Sequence, residues 1–193
     1  TPSCEKISVV KHANNVDYWI LTHAFESNNF YSHLLTGSGL SSTPVISSVG
    51  FAPHTASNGT NKNGAPGGMK ISPSGQKLAV CYAKSYPSDD NFLELYDFNN
   101  NTGVVSNAIT LMQTTANFIY GVEFSPNNQI LYATANNSFF LYQFDLTAAD
   151  IPNSIVTIFQ NSTSTPNLYR PLSLQLGPDG KIYSAMGSNP FLG

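Results

Sequence analysis

The sequence is short of charge: only 10% of its 193 residues are Asp, Glu, Lys or Arg, against 41% hydrophobic residues and 12% aromatics. Eight basic and eleven acidic side chains leave a formal net charge of −3. A phosphate-reading surface needs clustered Lys and Arg, so nucleic-acid binding is not expected. Disorder is not expected either, because low charge and many aromatics favour a buried core. No apolar run reaches the ~18 residues of a membrane-spanning helix. Cysteine is nearly absent: Cys4 and Cys81 are the only two, and neither has a CxxC partner or metal-ligand spacing. They read as small apolar residues, with one disulfide as the alternative. No segment sustains a 3.6-residue period, so helix content should be very low.

What is present is a repeat. Lys70-Ile-Ser-Pro-Ser-Gly-Gln-Lys-Leu-Ala-Val80 matches Glu123-Phe-Ser-Pro-Asn-Asn-Gln-Ile-Leu-Tyr-Ala133 and Gln175-Leu-Gly-Pro-Asp-Gly-Lys-Ile-Tyr-Ser-Ala185. Their prolines, Pro73, Pro126 and Pro178, are 53 and then 52 residues apart. Leu93-Glu-Leu-Tyr-Asp-Phe98 and Phe140-Leu-Tyr-Gln-Phe-Asp145 keep the same step. A diverged copy runs from Ile7 to Leu21 and then Phe30 to Leu35, without the proline turn. Each unit reads as four short strands. Pro presets φ for the first turn, and Gly or Asn accepts the positive φ that follows.

Four-stranded units at this period predict an all-β β-propeller. A single blade cannot bury both faces of its sheet, whereas stacked blades can. The blades are placed at 4–50, 67–112, 118–159 and 171–193, the last incomplete. That is about three and a half four-stranded blades of a longer, seven- or eight-bladed propeller. Stacked sandwich domains are the competing architecture, and the regular period counts against them. Lys70, Glu123 and Gln175 hold one repeat position on the innermost strands, so Lys70 and Glu123 are expected to pair across neighbouring blades.

The tripled turn, with Leu-Tyr or Ile-Tyr in the strand after it, resembles WD40/YVTN-type propeller repeats. More narrowly, the chain resembles the propeller region of secreted, gliding-motility-type surface proteins of Bacteroidota. That match rests on the run from Val10 to His23, on Phe30-Tyr31, Tyr120-Gly-Val-Glu-Phe-Ser-Pro126, Leu141-Tyr-Gln-Phe-Asp-Leu146, and on the run from Leu174 to Tyr183. The resemblance implies type IX secretion and a place outside the cell or on its surface. It brings no catalytic residues with it.

In a propeller the 1–2 and 3–4 turns lie at one end and the 2–3 and 4–1 connections at the other. The second kind are longer here: 24–29, 51–66, 84–91 and 160–170. Long loops on a rigid scaffold are where binding usually sits. That rim carries Glu26 and the candidate ligand-binding residues His23, His54, Lys84, Tyr86, Asp89, Asp90, Tyr169 and Arg170. A solvated loop explains each of them singly as well. His12, His23, His33 and His54 show no HxH or HxxxH spacing, so no metal is expected; His23 and His33 are the one pair on neighbouring strands. Asp89-Asp90-Asn91 lacks the spacing of a calcium loop. Gly64-Ala-Pro-Gly-Gly68 has no phosphate-binding Lys and opens no helix, and Gly37-Ser-Gly39 is not a nucleophile elbow. Trp19, Tyr18, Phe30 and Tyr31 could stack on sugar or fill the blade core. No cofactor and no catalytic group stands out.

The sequence therefore points to a secreted or cell-surface binding or scaffold module. Its expected partner is a polysaccharide, a surface protein, or the remaining blades and domains of the same protein. The alternative is a propeller enzyme, such as a lactonase or polysaccharide lyase, with its site on the long-loop face.

Overall fold

The three repeated turns are built alike, although the third closes one residue sooner than the first two. The N–H groups of Ser72, Ser125 and Gly177 donate to the carbonyls of Lys77, Ile130 and Lys181 at 2.9, 2.9 and 2.8 Å. Three residues into each turn, Gly75, Asn128 and Gly180 take φ of 71°, 63° and 78°. Asn does at one turn what Gly does at two, as its tolerance of the left-handed region allows. Pro73, Pro126 and Pro178 all sit in these turns, outside any strand or helix.

The structure, a computed structural model, describes residues 2–55, 62–83, 91–115, 118–135, 140–160 and 171–186. The first sheet contains β1 (Ser3–Lys11), β2 (Tyr18–Ala24), β3 (Asn29–Thr36), β4 (Gly39–Leu40) and β5 (Val45–Ser48). Its fourth strand is split: β4 pairs with the end of β3 and β5 with its start, either side of Pro44. A hairpin of β6 (His54–Thr55) and β7 (Lys62–Asn63) follows within the long connection. The second sheet holds β8 (Met69–Ile71), β9 (Lys77–Tyr82), β10 (Asn91–Asn99) and β11 (Val104–Thr114). The third holds β12 (Ile119–Phe124), β13 (Ile130–Ala135), β14 (Phe140–Asp145) and β15 (Val156–Gln160), with a 3-10 turn at Pro152–Ser154. Last come β16 (Pro171–Leu176) and β17 (Ile182–Met186), paired antiparallel. No described helix is long and apolar enough to cross a membrane.

The second sheet shows why the units stack. On β10, Tyr96 and Phe98 face the first sheet and join Trp19, Leu21, Phe30, Leu78, Val80 and Tyr82 in one buried cluster. Leu93 and Leu95, on the opposite face, join Phe124, Leu131 and Phe144 in another. The strand alternation thus sorts residues into two seams, one on each side of the sheet. Both cysteines are free and buried within these layers. The chain is an all-β partial propeller of about three and a half blades, with β1, β8, β12 and β16 innermost. We number the blades 1 to 4.

Candidate functional site

At the axis the innermost strands are joined by polar side chains. Lys70 Nζ lies 3.1 Å from Glu123 Oε2 and donates to Gln175 Oε1 at 2.6 Å. The same Glu123 oxygen accepts the Leu176 N–H at 3.0 Å, and Oε1 accepts the Phe124 N–H at 3.0 Å. Glu123 is 4% exposed, and these donors replace the water its carboxylate has lost. The expected Lys70–Glu123 pair is therefore present, with Gln175 of the next blade added to it. Between blades 1 and 2 the contact is different: Ser8 Oγ accepts the Ile71 N–H at 3.0 Å.

Above this chain of contacts lies a cavity of about 490 Å³, walled by all four innermost strands. Its lining includes Glu5, Lys6, Gly67, Gly68, Lys70, Tyr120, Ser173 and Gln175. These residues stand at the beginnings of the strands, the end from which the 4–1 connections arrive. Glu5 of blade 1 accepts the Gly67 N–H of blade 2 at 3.2 Å and bonds the Tyr120 phenol of blade 3. Burial, then the Glu5 carboxylate, raises the Tyr120 pKa. Close packing of this wall depends on Gly121, where a Cβ would strike the Leu172 carbonyl oxygen.

Lys6 is the unexpected member. It is 3% exposed, and its ammonium donates to the carbonyls of Gly64, Ala65 and Pro66, each at 2.8 Å. Burial lowers its pKa to about 8, while Cys4, Cys81 and Glu5 push the other way. The Gly64–Pro66 part of the Gly64–Gly68 run therefore turns carbonyls toward the Lys6 ammonium, while the Gly67 N–H is taken up by Glu5. The polarity around the ammonium is the reverse of a phosphate cradle. Sequence alternation places Lys6 on the same face of β1 as Cys4, Ser8 and Val10, but does not say what that face meets. Glu5 and Tyr120 were missed for the same reason.

A second polar group is buried in the seam between blades 1 and 2. The Tyr82 and Tyr96 phenol oxygens lie 2.8 Å apart, and Tyr96 donates a short bond to Glu94. Glu94 also accepts the Phe51 N–H at 3.0 Å. Burial raises both phenols, so both are protonated donors. Gly50 (φ 76°) allows this approach, since a Cβ there would strike the Tyr96 hydroxyl.

His23 corrects an expectation. It is not on the rim but fully buried at the end of β2, edge-on to Phe30 at 4.3 Å and to Tyr82 at 5.5 Å. Its Nδ1 donates to the Ala24 carbonyl at 2.7 Å; burial and, to a lesser degree, Lys6 push its pKa down to about 4. Its Nε2 is the one buried side-chain nitrogen or oxygen among the described residues with no hydrogen-bond partner. His33 stands opposite Ile20 and His23 opposite Phe30, so the two rings are not paired. No group of three His, Cys, Asp or Glu able to hold a metal occurs among the described residues. His54 is exposed on the β6–β7 hairpin, which is tied to Glu26 by a Thr55 hydrogen bond of 2.9 Å. Lys84, Tyr86, Asp89, Asp90, Tyr169 and Arg170 lie outside the described residues. Trp19 and Phe30 are core, 5% and 0% exposed, so neither can stack on a sugar.

No protein-family model matches the chain, and no curated protein matches it in sequence. Solved structures do match it. The periplasmic gluconolactonase of Pseudomonas aeruginosa superposes with a TM-score of 0.55 at 12% identity, over 99% of this chain and 55% of its own. A luciferin-regenerating enzyme gives 0.53 at 13%, over 96% and 57%. The Swd1 β-propeller domain of Myceliophteria thermophila gives 0.51 at 9%, over 94% and 47%. At such identities the likeness establishes the fold, the β-propeller. The chain spans about half the length of these structures.

Proposed function

We propose that the chain is part of a longer, secreted or cell-surface β-propeller that acts as a non-catalytic binding module. Its ligand would meet the end of the propeller where the long connections gather. The observation that carries this reading is the axial cavity: it is walled by the innermost strand of each described blade and lies at that end. The Bacteroidota-like motifs and the scarcity of charge support export, with a surface polysaccharide or protein as partner. The rim residues would be His54, Lys84, Tyr86, Asp89, Asp90, Tyr169 and Arg170; His23 drops out because it is buried.

The test is binding of the full-length protein to purified surface polysaccharide and to surface proteins. Alanine at Tyr86, Tyr169 and Arg170 together should weaken binding at least ~10-fold, as aromatic and Arg hot spots do, with the unfolding midpoint nearly unchanged. Unaltered binding in that variant, with loss on changing the Ser72–Gly75 turn, would place the site at the opposite end.

A lactonase-type activity is the second reading, favoured by the gluconolactonase among the structural neighbours. Release of acid from sugar lactones by the full-length protein, abolished by substitutions in the axial cavity, would establish it.

A further inference from the structure

We infer that the axial cavity is a subsite for a neutral sugar ring, an inference that rests on the binding-module reading above. The first ground is charge. Lys70 is matched by Glu123 at 3.1 Å, and the Lys6 ammonium is spent on three carbonyls. Glu5 is held by the Gly67 N–H and the Tyr120 phenol. Among the described residues, the Lys6 and Lys70 ammoniums are balanced by Glu5 and Glu123, so no surplus of either sign is left to repay the desolvation of an ionic ligand. A phosphorylated or strongly acidic sugar would find no unspent cation, and an amine no unspent carboxylate pair.

The second ground is the mixture of groups. Lys70 uses two of its three N–H donors on Glu123 and Gln175. Glu5 supplies acceptors, and Ser173 and Gln175 carry exposed groups able both to donate and to accept. Sugar hydroxyls also donate and accept, so a polyol matches this lining better than a purely apolar molecule does. The volume of about 490 Å³ lies within the range of small-molecule sites.

The third ground is an aromatic surface at the same place. Tyr120 lines the cavity, and its ring stacks on Phe118 with centroids 5.9 Å apart and planes 14° from parallel. Both rings are only half-buried. A stacked aromatic presents a flat apolar face, which suits the C–H face of a pyranose, and Tyr adds a polar handle at its rim. Neither Trp19 nor Phe30 is free to do this.

The experiment titrates the full-length protein with neutral mono- and disaccharides, with glucuronate as the anionic probe and glucosamine as the cationic one. A neutral sugar should bind at least ~10-fold tighter than either charged probe. Tyr120→Ala should abolish that preference, while Tyr120→Phe, which keeps the ring, should lose only a few-fold; circular dichroism checks that both fold. Tighter binding of glucuronate or glucosamine, no binding by any neutral sugar, or unchanged affinity in a folded Tyr120→Ala variant would overturn the inference. If polysaccharide or protein still binds in those cases, the subsite fails and the binding module stands. If the full-length protein binds neither class, both fall together.

Discussion

The two seams flanking blade 2 do the same job with different chemistry. Between blades 2 and 3 the buried cluster is mainly aliphatic, with Phe124 and Phe144 as its aromatics. Between blades 1 and 2, Trp19, Phe30, Tyr82, Tyr96 and Phe98 surround a buried Lys6, His23 and Glu94. An aliphatic seam gains stability from area and tolerates small shifts. In the polar seam His23 Nε2 is the one buried side-chain nitrogen or oxygen among the described residues without a partner, and sliding the blades would unpair the others, so the seam favours one alignment. The contrast assigns adhesion mainly to the second seam and register mainly to the first.

The largest effect should come from Phe144→Ala, which opens a cavity in the aliphatic seam and should cost about 3–5 kcal/mol in denaturant unfolding. A much smaller loss would show that this seam collapses to fill space, sharpening its description as adaptable. Next in size is a pH effect confined to the polar seam. His23 has its pKa lowered from 6.5 to about 4, so between those values the unfolded chain binds more protons than the folded one. Stability should therefore be fully present above pH 6.5 and fall by about 3 kcal/mol as the pH drops to 4. Unfolding midpoints from pH 4 to 7, flattened in a folded His23→Phe variant, check it.

Lys6→Met keeps the stem but removes the ammonium from the Gly64, Ala65 and Pro66 carbonyls, of which Pro66 still accepts the Ala83 N–H. The expected loss is about 1–3 kcal/mol, seen as a lowered midpoint in thermal melts. An increase in stability would mean that desolvating the ammonium outweighs its three bonds, and the polar seam would then be a liability. The smallest effect belongs outside both seams. Lys77 and Asp97 pair at 2.6 Å but are 38% and 41% exposed, so Lys77→Ala should change stability by no more than about 1 kcal/mol.

The repeat and its turns were legible in the sequence because their causes are local. Pro73, Pro126 and Pro178 fix a backbone angle, and Gly75, Asn128 and Gly180 accept one. The Lys70–Glu123 pair was legible because repeat register puts equivalent residues side by side. Lys6, Glu5 and Tyr120 were not: alternation along β1 or β12 gives a face, while the nature of what that face meets is decided by another blade. His23 misled for a related reason. It ends a strand beside a loop, a position that reads as rim, yet its neighbour in space is Tyr82 of the next blade.

The three carbonyls around Lys6 have a consequence for how the propeller meets its surroundings. Together they form a socket for a cation, and the chain fills it with an ammonium of its own. A mobile ion in that place would come and go with the composition of the medium, whereas a tethered one is supplied by β1 at constant local concentration. Its burial also shields it from screening by dissolved salt. The joint between blades 1 and 2 thus carries a built-in counter-ion, and its alignment does not depend on which ions the surrounding water contains.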